Sequence, residues 1–255
     1  MGKDSPGFSV PSSRYPTTWL LDGSGRWRWT SNISRNSSPT GESKGAEGSA
    51  MAQFGDDGGR REMEKKARAE GRLPPGQSLT MKWPVLHAGD VPRFDAARWD
   101  FRIDGLVEAP LRFTWQEFRA LPQMEVTSDF HCVTRWSRLN NLWKGVMFTE
   151  VLRRAKAKDS AKHALVLAEE GYTSNIPLKD LQRPDVLFAL EHDGEPLSAE
   201  HGGPLRLVVP HLYAWKSVKW VRGFALLDHE QLGFWERNGY HAYGDPWKEQ
   251  RYSGA

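Results

Sequence analysis

The residue types best suited to chemistry lie together in one short segment, Asp129–Ser137, whose sequence is DFHCVTRWS. It contains Cys132, the single cysteine of the 255-residue chain. A lone cysteine often serves only as a small buried hydrophobe. Nearby positive charge, here from Arg135, favours the thiolate, which attacks electrophiles or binds soft metals. The segment therefore indicates a nucleophilic or a metal-ligating cysteine.

His131 is poorly placed to act as the base for a nucleophilic Cys132, because adjacent residues of a strand point to opposite faces. A base would have to come from elsewhere, and none of the other seven histidines is marked out by its surroundings. The single cysteine also excludes an internal disulfide and any zinc site built from several thiolates. Both functions of Cys132 stay open on these residues alone.

Charge is distributed unevenly along the chain. Residues 1–72 carry 12 basic and 9 acidic side chains, whereas residues 73–255 carry 23 of each. Nucleic-acid binding needs an excess of Lys and Arg over a domain, so we exclude that class. No apolar run reaches the roughly 18 residues needed to cross a bilayer, and charged residues follow Arg60-Arg61 where an export signal has an apolar stretch. We therefore expect a cytoplasmic protein with no membrane span.

The first 70 residues differ in composition from the rest. Residues 1–72 contain 11 Gly, 4 Pro and 11 Ser, and residues 31–49 have almost no apolar side chain to offset the entropy of ordering. We expect residues 1–70 to be a disordered extension or an upstream segment added by a misplaced start codon, with a short charged helix near residues 60–70. Residues 71–255 are expected to form the functional domain.

Short apolar segments after residue 71 predict the elements that position Cys132. Residues 126–130 predict a strand that runs into the cysteine. A capping box at Thr114–Glu117 predicts a short helix through residue 121, and Asp193-Gly194 predicts a hairpin turn. A second helix is predicted at residues 148–157, and further strands at residues 99–104, 163–168, 186–191, 205–209 and 218–227. Because strands and helices follow one another without a regular βα alternation, the predicted fold class is α+β.

Several sequence blocks occur in a recognisable order. They are Arg72–Gln77 (RLPPGQ), Trp83–Gly89 (WPVLHAG), Asp104–Pro110 (DGLVEAP), His131–Ser137 (HCVTRWS), Trp143–Gly145 (WKG), Gly171–Thr173 (GYT), Asp193–Leu197 (DGEPL), His201–Arg206 (HGGPLR), Tyr213–Trp220 (YAWKSVKW), Gly233–Glu236 (GFWE) and Gly239–His241 (GYH). Together they resemble the sulfite-oxidase family of molybdopterin enzymes. More narrowly, the chain resembles the short, single-domain bacterial sulfite oxidase-like proteins, which are related to the catalytic subunit of the periplasmic methionine-sulfoxide reductase.

This resemblance implies a sulfite-oxidase-type molybdopterin-binding fold, with mixed β-sheets and short flanking helices. It implies Mo-molybdopterin as cofactor, although tungsten accepts the same ligand set, and Cys132 as the thiolate ligand of the metal. The residues implied to contact the cofactor are His87, Val91, Pro92, His201, Arg206, Ala214, Trp215 and Lys216. Arg206 would bind phosphate oxygens with its planar fork and Lys216 would add a point charge, while Gly202 and Gly203 would let the backbone approach the ligand.

The reaction implied by the resemblance is transfer of an oxygen atom to or from a small sulfur- or nitrogen-containing substrate. An oxyanion such as sulfite needs convergent arginines near the metal, and Arg135 is the candidate catalytic arginine. Trp136 follows it and favours an aromatic-walled pocket, so we expect reduction of a neutral sulfoxide or N-oxide rather than oxidation of sulfite. Two alternatives are a cofactor carrier or storage protein without turnover and a metal-free cysteine hydrolase.

The expected partners of the protein are few. No haem domain fits anywhere in the chain, so electrons are expected to be exchanged with a separate, unidentified donor or acceptor. The other expected partner is the small-molecule substrate, and the protein is expected to be a monomer.

Overall fold

The computed structural model describes residues 17–21, 27–31 and 57–254. The chain divides into two units, residues 1–52 and residues 53–255. In the first, strands β1 (Thr17–Leu21) and β2 (Trp27–Ser31) pair antiparallel. The other residues of the first 56, which make up most of the extension predicted at residues 1–70, lie outside the described residues. The second unit contains the predicted charged helix, α1 (Asp57–Ala69), on the N-terminal side of the predicted domain boundary at residue 71.

The remaining elements of the second unit are short strands and shorter helices. The strands are β3 (Ser78–Leu79), β4 (Asp100–Gly105), β5 (Leu111–Thr114), β6 (Gln123–His131), β7 (Trp136–Met147), β8 (His163–Ala168), β9 (Thr173–Pro177), β10 (Leu187–His192), β11 (Glu195–Pro196), β12 (Arg206–Val208) and β13 (Val221–Leu227). The helices are α2 (Trp115–Arg119), α3 (Phe148–Ala155), α4 (Leu178–Leu181) and α5 (Phe234–Arg237). Single 3₁₀ turns occupy residues 169–171, 199–201 and 214–216.

The first sheet of the second unit is built around the long strand β7. This strand pairs antiparallel with β6 and β10, and β3 joins it in parallel. On the far side of β10 lie β11 and β12. Gly145 of β7 has to be a glycine, because a Cβ there would overlap the carbonyl oxygen of Phe188 in β10. The close approach of β7 to β10 thus fixes the position of the β6–β7 hairpin, whose turn contains Cys132.

The second sheet has the order β5-β4-β13-β8-β9, in which β13 runs parallel to β4 and antiparallel to β8. Phe188 of the first sheet packs against Phe101 and Phe224 of the second, with ring centroids 5.0 and 6.3 Å apart. All three side chains are fully buried. The two sheets therefore share one core, and these mixed sheets with few helices confirm the predicted α+β class.

Local sequence signals explain where several elements begin and end. The predicted capping box is present, since the Glu117 amide donates to Thr114 Oγ1 (3.3 Å) and the Thr114 amide donates to the Glu117 carboxylate (2.7 Å). Helix α3 ends earlier than predicted because Lys156 adopts a left-handed backbone with φ of 50°. Asp193 and Gly194 have φ values of 51° and 86°, as a tight hairpin turn requires. No helix among the described residues is long and apolar enough to span a bilayer.

Candidate functional site

A cavity of about 590 Å³ opens beside the turn between β6 and β7. Segments far apart in sequence meet in its lining, namely residues 83–89, 130–136, 169–172, 201–206, 214–220 and 234–240. Its volume lies within the range of small-molecule and cofactor sites. Most of the conspicuous sequence blocks around Cys132 therefore converge on one concave site.

Cys132 is the first residue of the β6–β7 turn, where the strand pairing opens. Its amide donates to the carbonyl of Trp136 (2.9 Å), and its own carbonyl accepts from the amide of Arg135 (3.1 Å). Arg135 closes the turn in a left-handed conformation with φ of 72°. The turn places the Cys132 side chain in the cavity lining, whereas the preceding residue, His131, points away and bonds to Ser137 Oγ (2.8 Å).

The thiol of Cys132 is 7% exposed and lies 3.1 Å from the hydroxyl oxygen of Thr134. Burial raises the pKa of this thiol, while hydrogen bonds from Thr134 and Val133 and the charge of Arg251 counteract part of the rise. The positive charge that favours the thiolate therefore belongs to Arg251 and not, as predicted from the sequence, to Arg135. A raised pKa argues against a free nucleophile, because the thiolate is the attacking form, whereas a bound metal ion would itself deprotonate the thiol.

Aromatic rings surround Cys132 on one side of the cavity. We call Trp136, Trp215, Trp235 and Tyr240 the aromatic wall, because all four pack against the cluster that contains Cys132. Trp235 stacks on Tyr240 with centroids 4.8 Å apart, and Trp215 meets Tyr240 edge-on at 5.0 Å. The indole Nε1 of Trp136 is buried and has no hydrogen-bond partner among the described residues. Such an orphaned donor indicates a polar ligand in the cavity.

Arg206 lies in the cavity lining and is only 2% exposed. Its guanidinium carbon stands 5.2–5.6 Å from the ring centroids of Trp83, Phe130 and Trp143. It donates to the carbonyls of His201 (2.7 Å) and Ser217 (3.0 Å), and its Nε has no partner. Burial lowers the pKa of Arg206 to about 9.

Lys219 is the second cation of the cavity. Its Nζ donates to the carbonyl of Glu200 (2.6 Å), and its stem occupies the space where a Cβ of Gly202 would stand, 2.9 Å from Lys219 Cβ. Burial lowers the pKa of Lys219 to about 7, with a further contribution from the charge of Arg206. Gly202 and Gly203 were expected to admit a ligand; instead Gly202 makes room for Lys219, and a Cβ at Gly203 would overlap the backbone of Leu197.

Arg206 and Lys219, the cation pair of the cavity, have no ion-pair partner among the described residues. Removing a cation from water without a counter-ion costs several kcal/mol. Two cations of one cavity, neither of them within ion-pair distance of a carboxylate among the described residues, therefore indicate that an anionic group of a ligand neutralises them. A thiolate ligand, an orphaned indole donor and a cation pair in one cavity fit a metal held by a phosphate-bearing organic cofactor.

The structure brings together most of the residues that the sequence assigned to the cofactor. Cys132, His201 and Arg206 line the cavity, as do three further predicted residues, His87, Ala214 and Trp215. His87 is exposed at the rim, with its Nδ1 bonded to the Gly89 carbonyl (2.9 Å). Val91 and Pro92 are half-buried and stand outside the lining.

Lys216 does not enter the cavity, contrary to the sequence analysis. Its side chain is fully buried, and its Nζ bonds to Glu236 Oε1 (2.5 Å), to the carbonyls of Asn175 (2.7 Å) and Ala242 (2.6 Å), and to Asn175 Oδ1 (3.1 Å). These protein acceptors leave no donor for a phosphate. The ion pair instead joins the 3₁₀ turn that carries Trp215 to helix α5, which carries Trp235, so Lys216 supports the aromatic wall from behind.

Arg135 also lies outside the cavity lining. Its guanidinium is exposed and stands beside Gly76, where an added Cβ would lie 3.0 Å from Arg135 Nη1. Arg138 is directed to Asp193 (2.5 Å) and to Asn141. Because the left-handed turn sends Arg135 away from Cys132, the structure gives no support to a catalytic contact from it.

Sequence reasoning missed Trp83, Lys219, Trp235 and Tyr240 as members of the site. Lys219 stands in the same block as Lys216, Tyr213–Trp220, but the choice between the two side chains requires the backbone path. The sequence feature that could have indicated Lys219 is Gly202, because the absence of a side chain at Gly202 makes room for Lys219. Trp83 begins the block Trp83–Gly89, but nothing in the sequence shows which side chains of this irregular segment reach the site.

Comparison with known proteins agrees with this geometry. The sequence profile of the oxidoreductase molybdopterin binding domain matches residues 88–235. An uncharacterized oxidoreductase of Bacillus subtilis, YuiH, is 46% identical over 190 residues, which cover 74% of this chain and 96% of YuiH. The region matched by the family profile includes Cys132, the cation pair and all of the aromatic wall except Tyr240.

Two more distant relatives are named for an activity. The protein-methionine-sulfoxide reductase catalytic subunit MsrP of Gluconobacter oxydans is 30% identical, with 59% of this chain and 54% of MsrP covered. The crystal structure of the sulfane dehydrogenase SoxCD from Paracoccus pantotrophus superposes with a TM-score of 0.54 at 25% identity, covering 61% of this chain and 44% of that one. The chain thus spans about half the length of these two proteins.

Proposed function

Because the chain belongs to the family of oxidoreductase molybdopterin-binding domains and is a molybdenum-cofactor oxidoreductase, we propose that it reduces a small neutral sulfoxide or N-oxide. The overall change is the uptake of two electrons and two protons by the substrate, which releases a thioether or amine and one water. The observation that carries the proposal is the aromatic wall around Cys132. The similarity to a methionine-sulfoxide reductase catalytic subunit supports the same direction of transfer.

The residues of this chain fit the cofactor. Cys132 would bind the metal through its thiolate, which is a suitable ligand for a soft centre. Arg206 and Lys219 would bind the anionic end of the pterin, because they are the cavity cations without a carboxylate partner among the described residues. When bound, the cofactor supplies two-electron oxygen-atom transfer, while the protein orients it and sets its electrostatics.

Charge in the cavity supports a neutral substrate. An oxyanion needs cations aimed at the position of its charge. The Arg and Lys side chains among the described lining residues are Arg206 and Lys219, and both are assigned here to the cofactor. Arg135 and Arg138 point elsewhere, and the carboxylate of Glu170 in the lining opposes an incoming anion. Rings such as Trp235 and Tyr240 instead favour a neutral substrate with an apolar substituent.

Electrons for the reduction would come from a separate partner protein. The relative MsrP is named as a catalytic subunit, which supports a second component.

The cytoplasm is our proposed location, because charged residues follow Arg60-Arg61 in place of an apolar stretch. Fractionation of native cells tests this: recovery of the protein outside the cytoplasmic fraction would contradict it. Sedimentation of the purified protein likewise tests the expected monomer.

The proposed function is tested with protein from a molybdenum-replete host. We expect about one molybdenum and one pterin per chain, both lost in Cys132→Ser, and oxidation of a reduced viologen dye by sulfoxides or N-oxides. Arg153→Met, at an exposed position of α3, is the control that should retain metal and turnover. Sulfite oxidation without sulfoxide or N-oxide reduction would contradict the proposed direction. A fully loaded protein that turns over no substrate would favour a carrier.

A further inference from the structure

Two buried side chains hold the Cys132 turn, and both lie outside the region matched by the family profile. Gln77 precedes residues 88–235 and Arg251 follows them. They are 1% and 4% exposed. Neither lines the cavity, so both hold the turn without contacting a ligand bound there. The metal-ligating turn is therefore completed by the two flanks of the domain.

Gln77 bonds directly to the backbone of the cysteine. Its Nε2 donates to the carbonyl of Cys132 (2.9 Å), which also accepts from the Arg135 amide (3.1 Å). The next residue, Ser78, donates its amide to the Arg135 carbonyl (2.9 Å) and begins β3. The Cys132 peptide is thus bonded both within its own turn and to the flanking segment.

Arg251 bonds to the following residue of the turn. Its Nη1 donates to the carbonyl of Val133 (2.7 Å) and its Nη2 to the carbonyl of Pro75 (3.3 Å). The guanidinium also stands over the ring of Tyr213, 4.9 Å from its centroid. The carboxylate of Glu249 is 3.5 Å away, and the side chain of Glu249 is 47% exposed. Arg251 and Glu249 thus form a long ion pair, and of the two charges it is the guanidinium that bonds to the Cys132 turn.

We propose that Gln77 positions the sulfur of Cys132 and that Arg251 raises the reduction potential of the metal bound there. The inference rests on the proposed function, since it requires Cys132 to ligate a redox metal. A fixed positive charge stabilises the state with one more electron, because that state is more negative by one charge. Hydrogen-bonding groups behind a ligand orient it and tune its metal. Arg251 and Gln77 are therefore positioning residues, which contact neither substrate nor cofactor.

The charge of Arg251 is tested in the molybdenum-loaded protein by redox titration monitored through the paramagnetic state of the metal. Arg251→Met is expected to shift the midpoint potential downward, whereas Arg251→Lys keeps the charge and should stay near the wild-type value. Arg153→Met removes the same charge from α3 and is the matched control, with no expected shift. If Arg251→Met does not fold, Arg251→Gln serves instead, since it removes the charge but keeps a donor for the Val133 carbonyl.

Gln77→Met tests positioning without a change of charge. We expect an unchanged midpoint potential, an altered paramagnetic spectrum and metal binding weaker by about 10- to 100-fold. An unchanged potential in both Arg251→Met and Arg251→Gln would overturn the role of Arg251, and an unchanged spectrum and metal affinity in Gln77→Met would overturn that of Gln77. Failure of the proposed function is distinguishable, because it would appear as molybdenum-loaded wild-type protein that reduces no sulfoxide or N-oxide, a readout separate from the midpoint potential and the spectrum.

Discussion

The imidazole of His201 lies nearly parallel to the indole of Trp83, with ring centroids 3.9 Å apart and an interplanar angle of 19°. His201 Nε2 also donates to the carbonyl of Trp83 (3.1 Å), and Nδ1 lies 2.9 Å from Ser198 Oγ. Because a carbonyl only accepts, Nε2 carries the proton of the neutral ring. Burial lowers the pKa of His201, which favours that neutral form. The stacking and the hydrogen bond between His201 and Trp83 hold the irregular segment around Trp83 against the loop of residues 201–204.

Replacing His201 by Phe should keep the ring contact with Trp83 but remove the donor. The Trp83 carbonyl would lose its bond, at a cost of about 1–3 kcal/mol in the free energy of unfolding. Urea denaturation of the cofactor-free protein measures this loss, and His201→Gln, which retains a donor, should recover part of it. Equal stability of wild type and His201→Phe would contradict the assigned bond.

Replacing Lys216 by Met should destabilise the cofactor-free protein strongly. The side chains of Lys216 and Glu236 are 0% and 1% exposed, so removal of the ammonium leaves a buried carboxylate without its cation. A loss of about 3–5 kcal/mol is expected. The double variant with Glu236→Gln, which removes the charge but keeps acceptors for Ser174 and Trp215, should recover much of it. A single variant as stable as the wild type would contradict the buried pair.

Replacing Lys219 by Ala should have the opposite effect on the cofactor-free protein. Because the substitution removes a desolvated cation that has no carboxylate partner among the described residues, the thermal midpoint of the protein should stay unchanged or rise. The amount of pterin that stays bound during gel filtration should fall. Lys66→Ala, on an exposed part of α1, is the control. Retention of pterin at the wild-type level in Lys219→Ala would refute the assigned role of the cation pair.

Acid should weaken the fold through His192, whose side chain is 9% exposed. Burial lowers the pKa of His192 from 6.5 to about 4, and Arg138 Nη1 lies 3.0 Å from its Nε2. Since the unfolded chain binds the proton first, stability present above pH 6.5 is lost as the pH falls toward 4, on the order of 2–3 kcal/mol.

The check is urea denaturation of the wild type and His192→Gln at pH 7 and pH 4.5. We expect the variant to lose less stability on acidification than the wild type. His229→Gln, at an exposed surface position, should behave like the wild type. Parallel losses in His192→Gln and the wild type would show that another group is responsible.

Short-range signals in the sequence predicted the elements around the site. The capping box before α2 and the Asp193-Gly194 turn depend on neighbouring residues alone, so their predictions are confirmed at the residue level. The strand before Cys132 was predicted at residues 126–130 and extends to Gln123–His131. Cys132 and Arg206 could be assigned because each stands within a recognisable block.

The predictions that placed Lys216 and Arg135 in the site failed where the backbone direction departs from a regular strand. Residues 214–216 form a 3₁₀ turn and Trp220 is left-handed with φ of 52°, so strand alternation could not decide between Lys216 and Lys219. The left-handed conformation of Arg135 likewise redirects a side chain that spacing alone placed near the sulfur. Such irregular residues depend on tertiary contacts, which no local pattern encodes.

The bond from Arg251 to the Val133 carbonyl joins positions 118 residues apart, and this separation governs the order of biogenesis. A nascent chain that has emerged only as far as α5 already contains Cys132 but not the residue that braces its turn. Long-range contacts form after the local ones, so the metal-binding turn is braced only once the segment around Arg251 has been synthesised and has docked. Loading of the cofactor is accordingly expected to follow synthesis of that segment rather than synthesis of the Cys132 turn alone.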